Sequence, residues 1–327
     1  MRTMRCHQLG TDLNLQLNTV DDAKPRPGRV VVEVHGCAVS FPDVLMMQGA
    51  YQHQPPLPFA PGAELSGIVR AVADDVGDYA VGDRVIAKTG YGALAEMVAV
   101  PASLLVRVPD NVDLVEASAF LSAYATSHWA LHARGNLQAG ESVLVLGAAG
   151  GVGLAAVELA ALHGARVIAA ASTDEKLAMC RRYGATDVIN YTTENLKERA
   201  KELTDGKGVD VVYDAVGGDY SEAAFRAIAW NGRFLVVGFA AGGGVPKLAL
   251  NLPLLKGASV VGALLGGAQR NDPTRYRSML DELTAMWADS RLHPHVSHTY
   301  SLAEAGQAIR DVAERRAIGR IVVDVRR

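Results

Sequence analysis

SVLVLGAAGGVGLAAVELAALHG occupies residues 142–164 of the chain. Its opening, at 142–147, is mostly valine and leucine, which is typical of a short buried strand. Residues 151–163 place apolar side chains at helical spacing, and Gly164 stands where a glycine commonly ends a helix. A strand that enters a helix through a turn of small residues predicts the first half of a βαβ unit.

Strands and helices keep alternating after this segment. Further strands are predicted at 166–171, 187–190, 209–214, 233–239 and 258–263, with helices at 174–183, 194–203 and 220–229 between them. Such alternation predicts βαβ units and an α/β fold built on a parallel sheet.

The regions on either side of this block follow a different pattern. Short valine-rich segments bounded by Gly, Pro or Asp predict strands at 29–39, 64–72, 84–88 and 94–100, and hence a barrel-like β domain. Beyond about residue 266 the charge density rises again. The pattern there predicts helices at 273–290 and 302–315 and strands at 296–300 and 318–325.

The turn after the first βαβ strand has the composition of a dinucleotide-binding loop. Ala148, Gly150 and Gly153 fit the pattern A-x-G-x-x-G between a predicted strand and a predicted helix. The small residues of this loop let backbone N–H groups, those of Gly151 and Val152 included, approach a pyrophosphate at the positive end of the helix. The alternative is a glycine-rich turn without a ligand, but the accompanying βα repeats favour the binding loop.

The end of the next strand selects between the two nicotinamide cofactors. NAD-preferring sites place a carboxylate there for the ribose 2′-OH, whereas this chain has Ala171, Ser172 and Thr173. Lys176, one helical turn later, can pair with a 2′-phosphate, so NADPH is favoured over NADH. Ser172 also fits a capping box with Glu175 and could serve only to cap the helix.

Bulk composition excludes several classes of protein. The chain has 327 residues, with 35 acidic against 32 basic ones and a net charge of -3, which gives no reason to expect binding to nucleic acid or to an anionic membrane. Its three cysteines lie far apart, as in reduced intracellular proteins. No secretory segment opens the chain, and the cytoplasm is the expected location.

Several further segments carry a family resemblance. They are SFPDVLMMQGAY at 40–51, PPLPFAPGAELSG at 55–67, VGDRV at 81–85, AYATSHWAL at 123–131, GVDVVYDAVGG at 208–218 and AIGRIVV at 317–323. Together with the glycine-rich turn, they resemble zinc-independent quinone oxidoreductases of the medium-chain dehydrogenase/reductase family over essentially the whole chain.

The resemblance implies a domain organisation. A GroES-like β-barrel domain would comprise residues 1–122 and 266–327, with the C-terminal segment returning to the barrel. A Rossmann domain with a doubly wound parallel sheet would comprise residues 123–265 and bind NADP(H). The resemblance also implies an active site in the cleft between these domains and a homodimer joined through the strand at 258–263.

The resemblance further implies that zinc is absent. Zinc-dependent relatives use Cys, His and Cys as ligands, and the resemblance matches these positions to Ser40, Ala63 and Ser122. None of these supplies a thiolate or an imidazole. Many quinone oxidoreductases carry Asn where Ser40 stands.

The resemblance and the strand ends together suggest the other site residues. Thr126 matches a threonine that lies beside the nicotinamide. Tyr191 matches an aromatic residue near the adenosine phosphate, and Arg315 matches an arginine that can reach the 2′-phosphate. Tyr191 and Arg315 could equally be surface residues. Strand ends, where ligands bind in open sheets, supply the remaining candidates, whose alternative role is packing or turning. They are Val216, Gly217, Gly238, Phe239 and Ala240.

Tyr51 is the candidate acid. Its phenol could donate a hydrogen bond or a proton to an enolate or quinol oxygen, or simply line the pocket. Ser40 and Asp43 could shape the site, although Asp43 is equally plausible as a buried structural hydrogen-bond acceptor. His293, His295 and His298 lack an accompanying carboxylate or thiolate, so solvated positions are favoured over a metal site.

These observations predict an enzyme that transfers hydride from NADPH to a small-molecule electron acceptor, a quinone or a conjugated enone, without a metal. An enoyl-CoA or acryloyl-type thioester reductase is the first alternative, because Gln48-Gly49-Ala50-Tyr51 resembles a segment of such reductases. A non-catalytic NADPH-binding protein, like the relatives recruited as lens crystallins, is the second.

Overall fold

The computed structural model describes residues 1–242 and 244–327, which divide into two compact units. Unit 1 comprises Met1–Ser122 and Thr284–Arg327, and unit 2 comprises Ala123–Leu283. The chain therefore enters unit 2 once and returns to unit 1.

The strands divide between the two units. Those of unit 1 are β1 (Arg2–Arg5), β2 (Gln16–Thr19), β3 (Arg29–Val39), β4 (Glu64–Val72), β5 (Arg84–Lys88), β6 (Met97–Pro101), β7 (Leu105–Arg107), β14 (Val296–Ser301) and β15 (Arg320–Asp324). Those of unit 2 are β8 (Ser142–Leu146), β9 (Arg166–Ala171), β10 (Asp187–Asn190), β11 (Val209–Asp214), β12 (Ile228–Val236) and β13 (Ser259–Gly262).

Helices connect most of the strands of unit 2. The α-helices are α1 (Phe41–Met47), α2 (Leu114–Ala117), α3 (Leu121–His128), α4 (Gly151–Leu162), α5 (Asp174–Arg182), α6 (Leu196–Glu202), α7 (Tyr220–Arg226), α8 (Asn251–Lys256), α9 (Leu265–Asn271), α10 (Pro273–Ala288) and α11 (Ala305–Ala313). A π-helix, Trp129–Arg134, continues α3. Within the described residues no helix is both long and apolar enough to span a bilayer.

Unit 2 is a six-stranded parallel sheet in the order β10-β9-β8-β11-β12-β13. Successive strands are added on one side of β8 as far as β10 and then on its other side from β11 onwards. The boundary between β8 and β11 is therefore the switch point where open α/β sheets bind ligands. The central strands β8 and β11 are buried on both faces, as expected when helices cover a parallel sheet. The predicted Rossmann arrangement is therefore confirmed.

Unit 1 is organised around β3, which pairs with β4, β6 and β15. The seven-stranded sheet is mixed, because β14 and β15 run parallel whereas the other pairs are antiparallel. Close pairing of β3 with β4 depends on Gly67, since a Cβ there would lie 2.0 Å from the carbonyl oxygen of Glu33. The predicted return of the C-terminal segment is explained by β15, which pairs with β3.

The C-terminal boundary of unit 2 lies later in the chain than the predicted domain organisation placed it. The prediction placed it at residue 266, but unit 2 extends to Leu283. Two contacts hold α10 to unit 2: the Arg275 guanidinium lies 5.5 Å from the Trp129 ring centroid, and Glu282 lies 3.3 Å from His128 Nε2. Tertiary contacts of this kind leave no signal in local composition.

Three histidines of unit 2 form a cluster that sequence reasoning missed. Ring centroids of His128 and His132 are 4.6 Å apart, and those of His132 and His163 are 4.7 Å apart. Burial, reinforced by the neighbouring histidines, lowers the pKa of both His128 and His132 to about 4; Arg275 lowers that of His128 further, while Glu282 opposes the shift at His132. Both rings are therefore uncharged in the folded chain near neutral pH.

This cluster predicts that unit 2 loses stability in mild acid. Each pKa rises from about 4 in the folded chain to its ordinary 6.5 on unfolding, so stability is lost as the pH falls through this range. Between about pH 7 and about pH 5 we expect the free energy of unfolding to fall by about 2–4 kcal/mol, measured by urea unfolding. His132→Gln should remove about half of this loss, whereas the exposed-site control His53→Gln should not. An unchanged pH dependence in His132→Gln would contradict the assignment.

Candidate active site

The glycine-rich turn joins β8 to α4 by a very close approach. Gly147 has φ +63°, and Gly153 lies so near it that a Cβ on residue 153 would be 2.1 Å from the Gly147 carbonyl oxygen. Gly150 is the N-cap of α4 and offers no capping side chain. The first-turn amides at Gly151, Val152 and Gly153 therefore have no side-chain cap, as an anion-binding helix end requires.

Two buried hydroxyl groups support this turn. Ser127 Oγ donates to the Val152 carbonyl oxygen at 2.7 Å and lies 3.0 Å from the Tyr213 hydroxyl. These bonds tie α3 and β11 to the start of α4. Thr126, the predicted neighbour of the nicotinamide, precedes Ser127 on α3 and is half-buried. Neither Ser127 nor Tyr213 could be predicted as a support of the turn, because each carries no signal beyond its place within a matched segment.

The end of β9 corrects the capping prediction. Thr173, not Ser172, is the N-cap of α5, and its hydroxyl accepts from the Lys176 N–H at 3.3 Å. Ser172 therefore does not cap the helix, and its hydroxyl accepts a hydrogen bond from Lys176 Nζ at 3.4 Å. A hydroxyl and an ammonium thus lie side by side where a carboxylate would stand in an NAD-preferring site.

Tyr191 lies near this pair, whereas Arg315 belongs to the other unit. The Tyr191 ring packs on Tyr220 with centroids 4.4 Å apart. Arg315 is exposed, follows α11 in unit 1 and has φ +58°. Its predicted contact with a 2′-phosphate remains a prediction.

Asp214 organises the remaining strand ends, and sequence reasoning missed it. One carboxylate oxygen accepts from the N–H groups of Val216 and Gly217 at 2.9 and 2.8 Å, and the other accepts from Ser221 Oγ at 2.6 Å. The next loop is joined to this one, because the Ala240 N–H donates to the Ala215 carbonyl oxygen at 3.3 Å. The five predicted strand-end residues therefore form two connected loops beyond β11 and β12. They are Val216, Gly217, Gly238, Phe239 and Ala240.

In unit 1, Asp43 holds Ser40 and Gly62 in place. Its carboxylate accepts from the Ser40 N–H and hydroxyl at 2.8 and 2.9 Å, and from the Gly62 N–H at 2.8 Å. Asp43 is fully buried, and that burial raises its pKa against the effect of these donors. The structure therefore favours the structural role for Asp43 over a direct role in the chemistry.

A second buried charge lies at the start of β4. Glu64 accepts from the Ser122 N–H at 2.8 Å and from Arg320 Nη2 at 3.1 Å. Burial raises the pKa of Glu64, while the Arg320 charge opposes that rise. The ion pair joins β4 to β15, and Glu64 also holds the start of α3 through the Ser122 N–H.

Tyr51 follows α1 and is half-buried against the hydrophobic core of unit 1. Burial, with a smaller contribution from the Asp43 charge, raises the pKa of its phenol. The group therefore stays protonated near neutral pH and can donate a hydrogen bond, but it releases its proton less readily than a free phenol.

With this geometry in view, comparison with known proteins decides the family. Residues 26–110 match the alcohol dehydrogenase GroES-like domain, and residues 151–285 match the zinc-binding dehydrogenase family. A quinone oxidoreductase-like protein 2 homolog of Nematostella vectensis is 37% identical over 99% of this chain and 89% of its own length. The chain belongs to the medium-chain dehydrogenase/reductase family, in its quinone oxidoreductase branch.

Other members of the branch extend the likeness. The quinone oxidoreductase of Pseudomonas aeruginosa is 34% identical over 94% of this chain and 95% of its own length. The crystal structure of Escherichia coli quinone oxidoreductase complexed with NADPH covers 99% of this chain and 100% of its own, with a TM-score of 0.92 and 28% identity. The predicted GroES-like and Rossmann domains are confirmed by these matches.

The positions that hold zinc ligands in zinc-dependent relatives can now be compared with this chain. The family matched by residues 151–285 is described as zinc-binding, yet Ser40, Ala63 and Ser122 stand at the ligand positions inferred from the resemblance. In residues 1–242 and 244–327, His, Cys, Asp and Glu side chains form no group suited to a metal ion. His293 and His295 precede β14, and His298 is exposed on it.

Proposed function

We propose that this chain is an NADPH-dependent oxidoreductase that reduces a quinone or a conjugated enone without a metal ion. The observation that carries the proposal is the pairing of an uncapped glycine turn at α4 with Ser172 and Lys176 at the end of β9. The first fits a pyrophosphate and the second a 2′-phosphate. The NADPH complex of E. coli quinone oxidoreductase supports the same choice of cofactor.

The residues of unit 2 fit this cofactor group by group. Amides of Gly151, Val152 and Gly153 would hold the pyrophosphate, Ser172 and Lys176 the 2′-phosphate, and Tyr191 would lie against the adenosine. The loops that Asp214 organises and Thr126 would line the nicotinamide. NADPH, when bound, supplies the hydride, and the protein's contribution is to orient the reactants and exclude water.

On unit 1, the Tyr51 phenol would bind the acceptor. Its raised pKa favours a hydrogen bond to the acceptor oxygen over proton release. Ser40, fixed by Asp43, would help to shape the same site. The absence of thiolate and imidazole at Ser40, Ala63 and Ser122 supports a reaction without zinc.

Tyr51→Phe tests the acceptor assignment. NADPH consumption is followed by absorbance with benzoquinone, an enone aldehyde and crotonyl-CoA in parallel. We expect turnover of the quinone or the enone, and about tenfold slower turnover in the variant, because one hydrogen bond to the reacting oxygen is lost. Turnover of the thioester alone would instead favour the thioester reductase, and turnover of none would favour a non-catalytic NADPH-binding protein.

Lys176→Ala tests the cofactor assignment. Loss of one charge partner for the 2′-phosphate should raise the Kd for NADPH about tenfold and leave that for NADH unchanged, as measured by fluorescence titration. Lys207→Ala, at an exposed lysine of the same unit, is the control. Equal affinity of the wild type for NADPH and NADH would refute the role assigned to Ser172 and Lys176.

The free edge of the sheet supports a homodimer. β13 is the last strand of the sheet, and Val260 on it is 49% exposed. Leu250, Leu254 and Leu264 are also exposed on flanking segments of the chain. An apolar sheet edge of this kind is suited to pairing with another strand, and we assign that role to a second copy of this chain.

Val260→Lys tests the dimer. A charged side chain on the edge strand should shift the chain from dimer to monomer in light scattering coupled to size exclusion. Val81→Lys, at a more exposed valine of unit 1, should leave the dimer intact. A monomeric wild type, or a dimer that survives Val260→Lys, would refute this interface.

A further inference from the structure

Lys88 is a half-buried lysine at the end of β5 that neither the fold nor the proposed site accounts for. It stands opposite Glu64 in the antiparallel register of β4 and β5. Residues directly opposite in an antiparallel pair project from the same face of the sheet. The ammonium therefore shares a face with the Glu64–Arg320 pair and with Ser122, whose N–H that pair holds.

Within the described residues the Lys88 ammonium has neither a hydrogen-bond nor an ion-pair partner. Glu64, the carboxylate opposite it, is already engaged, since one oxygen accepts from the Ser122 N–H and the other from Arg320. Desolvation is therefore not offset by a direct partner, and burial, assisted by the Arg320 charge and opposed by Glu64, lowers the pKa of Lys88.

A second donor in the same place is also unsatisfied. Arg320 is 8% exposed, and its Nε is buried with no acceptor among the residues that the structure describes. Asp43, the other nearby carboxylate, is fully used by Ser40 and Gly62. This part of unit 1 thus has more donors than acceptors, which is the condition of a site that receives an oxygen from a ligand.

The balance of charges in this part of unit 1 indicates which kind of oxygen a ligand would bring to these donors. The two buried carboxylates, Asp43 and Glu64, are matched by the two cations, Arg320 and Lys88. A ligand with a permanent, localised negative charge, such as a carboxylate, would therefore leave an excess negative charge in a poorly solvated place. A neutral carbonyl that gains negative charge only during reaction fits better, because preorganised donors stabilise charge as it develops.

We propose that Lys88 Nζ binds the carbonyl oxygen of the acceptor and donates the proton that this oxygen takes up during reduction. The inference rests on the proposed function and names the proton source for it. NADPH, when bound, would supply the hydride to the acceptor carbon, and the carbonyl π electron pair would move to the oxygen. That oxygen then takes a proton from the Lys88 ammonium, leaving a neutral amine that solvent reprotonates.

The two candidate acids differ in the direction of their pKa shifts. Burial lowers the pKa of Lys88 and raises that of Tyr51. The ammonium therefore gives up its proton more readily than a lysine in water, and the phenol less readily than a tyrosine in water. Lys88 is accordingly the proton donor, and Tyr51 contributes a hydrogen bond.

Binding of p-nitrophenol tests the site without turnover, because its phenolate absorbs visible light and its phenol does not. Wild type should bind the probe as phenolate at a pH where free probe is partly protonated, since an ammonium stabilises the anion. Lys88→Met should abolish the increase in the phenolate band on binding, and Lys88→Arg should retain that increase. Lys24→Met, at an exposed lysine of unit 1, is the control and should behave as wild type.

Turnover supplies the second measurement. With the acceptor that wild type reduces, Lys88→Met and Lys88→Gln should lower kcat about 100-fold while the Kd for NADPH and the thermal unfolding midpoint stay unchanged. Unchanged kcat and an unchanged phenolate band in these variants would overturn the proposal but leave the proposed function standing. Failure of wild type to reduce any acceptor would instead remove the proposed function, and with it this role for Lys88.

Discussion

The carbonyl oxygen of Gly147 lies where a side chain on residue 153 would begin, and this close contact governs how β8 meets α4. A Cβ at Gly153 would stand 2.1 Å from that oxygen, so any other residue would force the helix away from the strand. Because β8 lies at the switch point of the sheet, the start of α4 points its amides at the place where an open sheet binds its ligand. Ser127 and Tyr213 then fix the turn from α3 and β11.

Unit 1 depends on a different constraint, the burial of charge. Asp43, Glu64, Arg320 and Lys88 are brought together by α1 and three strands, and the carboxylates are satisfied by backbone N–H groups as well as by Arg320. Zinc-dependent relatives place a metal ion and its ligands in this region, according to the resemblance. In this chain Ser40 and Ser122, which stand at two of the inferred ligand positions, are hydrogen-bonded to the buried carboxylates Asp43 and Glu64. In the proposed reaction, the Lys88 ammonium stabilises the developing oxyanion.

Periodicity and motif predicted the α/β fold because each βα repeat carries its own local signal. The loop residues Ala148, Gly150 and Gly153 could be predicted for a similar reason, since the backbone geometry of such a loop requires glycine or another small residue. The cap of α5 was harder: Ser172 and Thr173 are equally good cap residues, and the choice depends on where β9 ends, which made Thr173 the cap.

Residues that act through distant partners could not be predicted. Glu64 and Arg320 are separated by 256 positions in the chain, and neither residue carries a local signal of the other. Lys88 likewise looks like an ordinary strand-terminal lysine until its register with Glu64 is known. The histidine cluster (His128, His132 and His163) is assembled from two helical segments and a helix end. Its members are separated in the sequence, whereas the histidines at 293, 295 and 298 lie within six residues and were therefore the group that the sequence brought to notice.

A crystal structure of the chain grown with NADPH tests the central claim most directly. The pyrophosphate should lie on the amides of Gly151, Val152 and Gly153, the 2′-phosphate should contact Ser172 and Lys176, and no metal should stand near Ser40 and Ser122. Phosphates bound away from the start of α4, or a zinc ion beside those two serines, would contradict it.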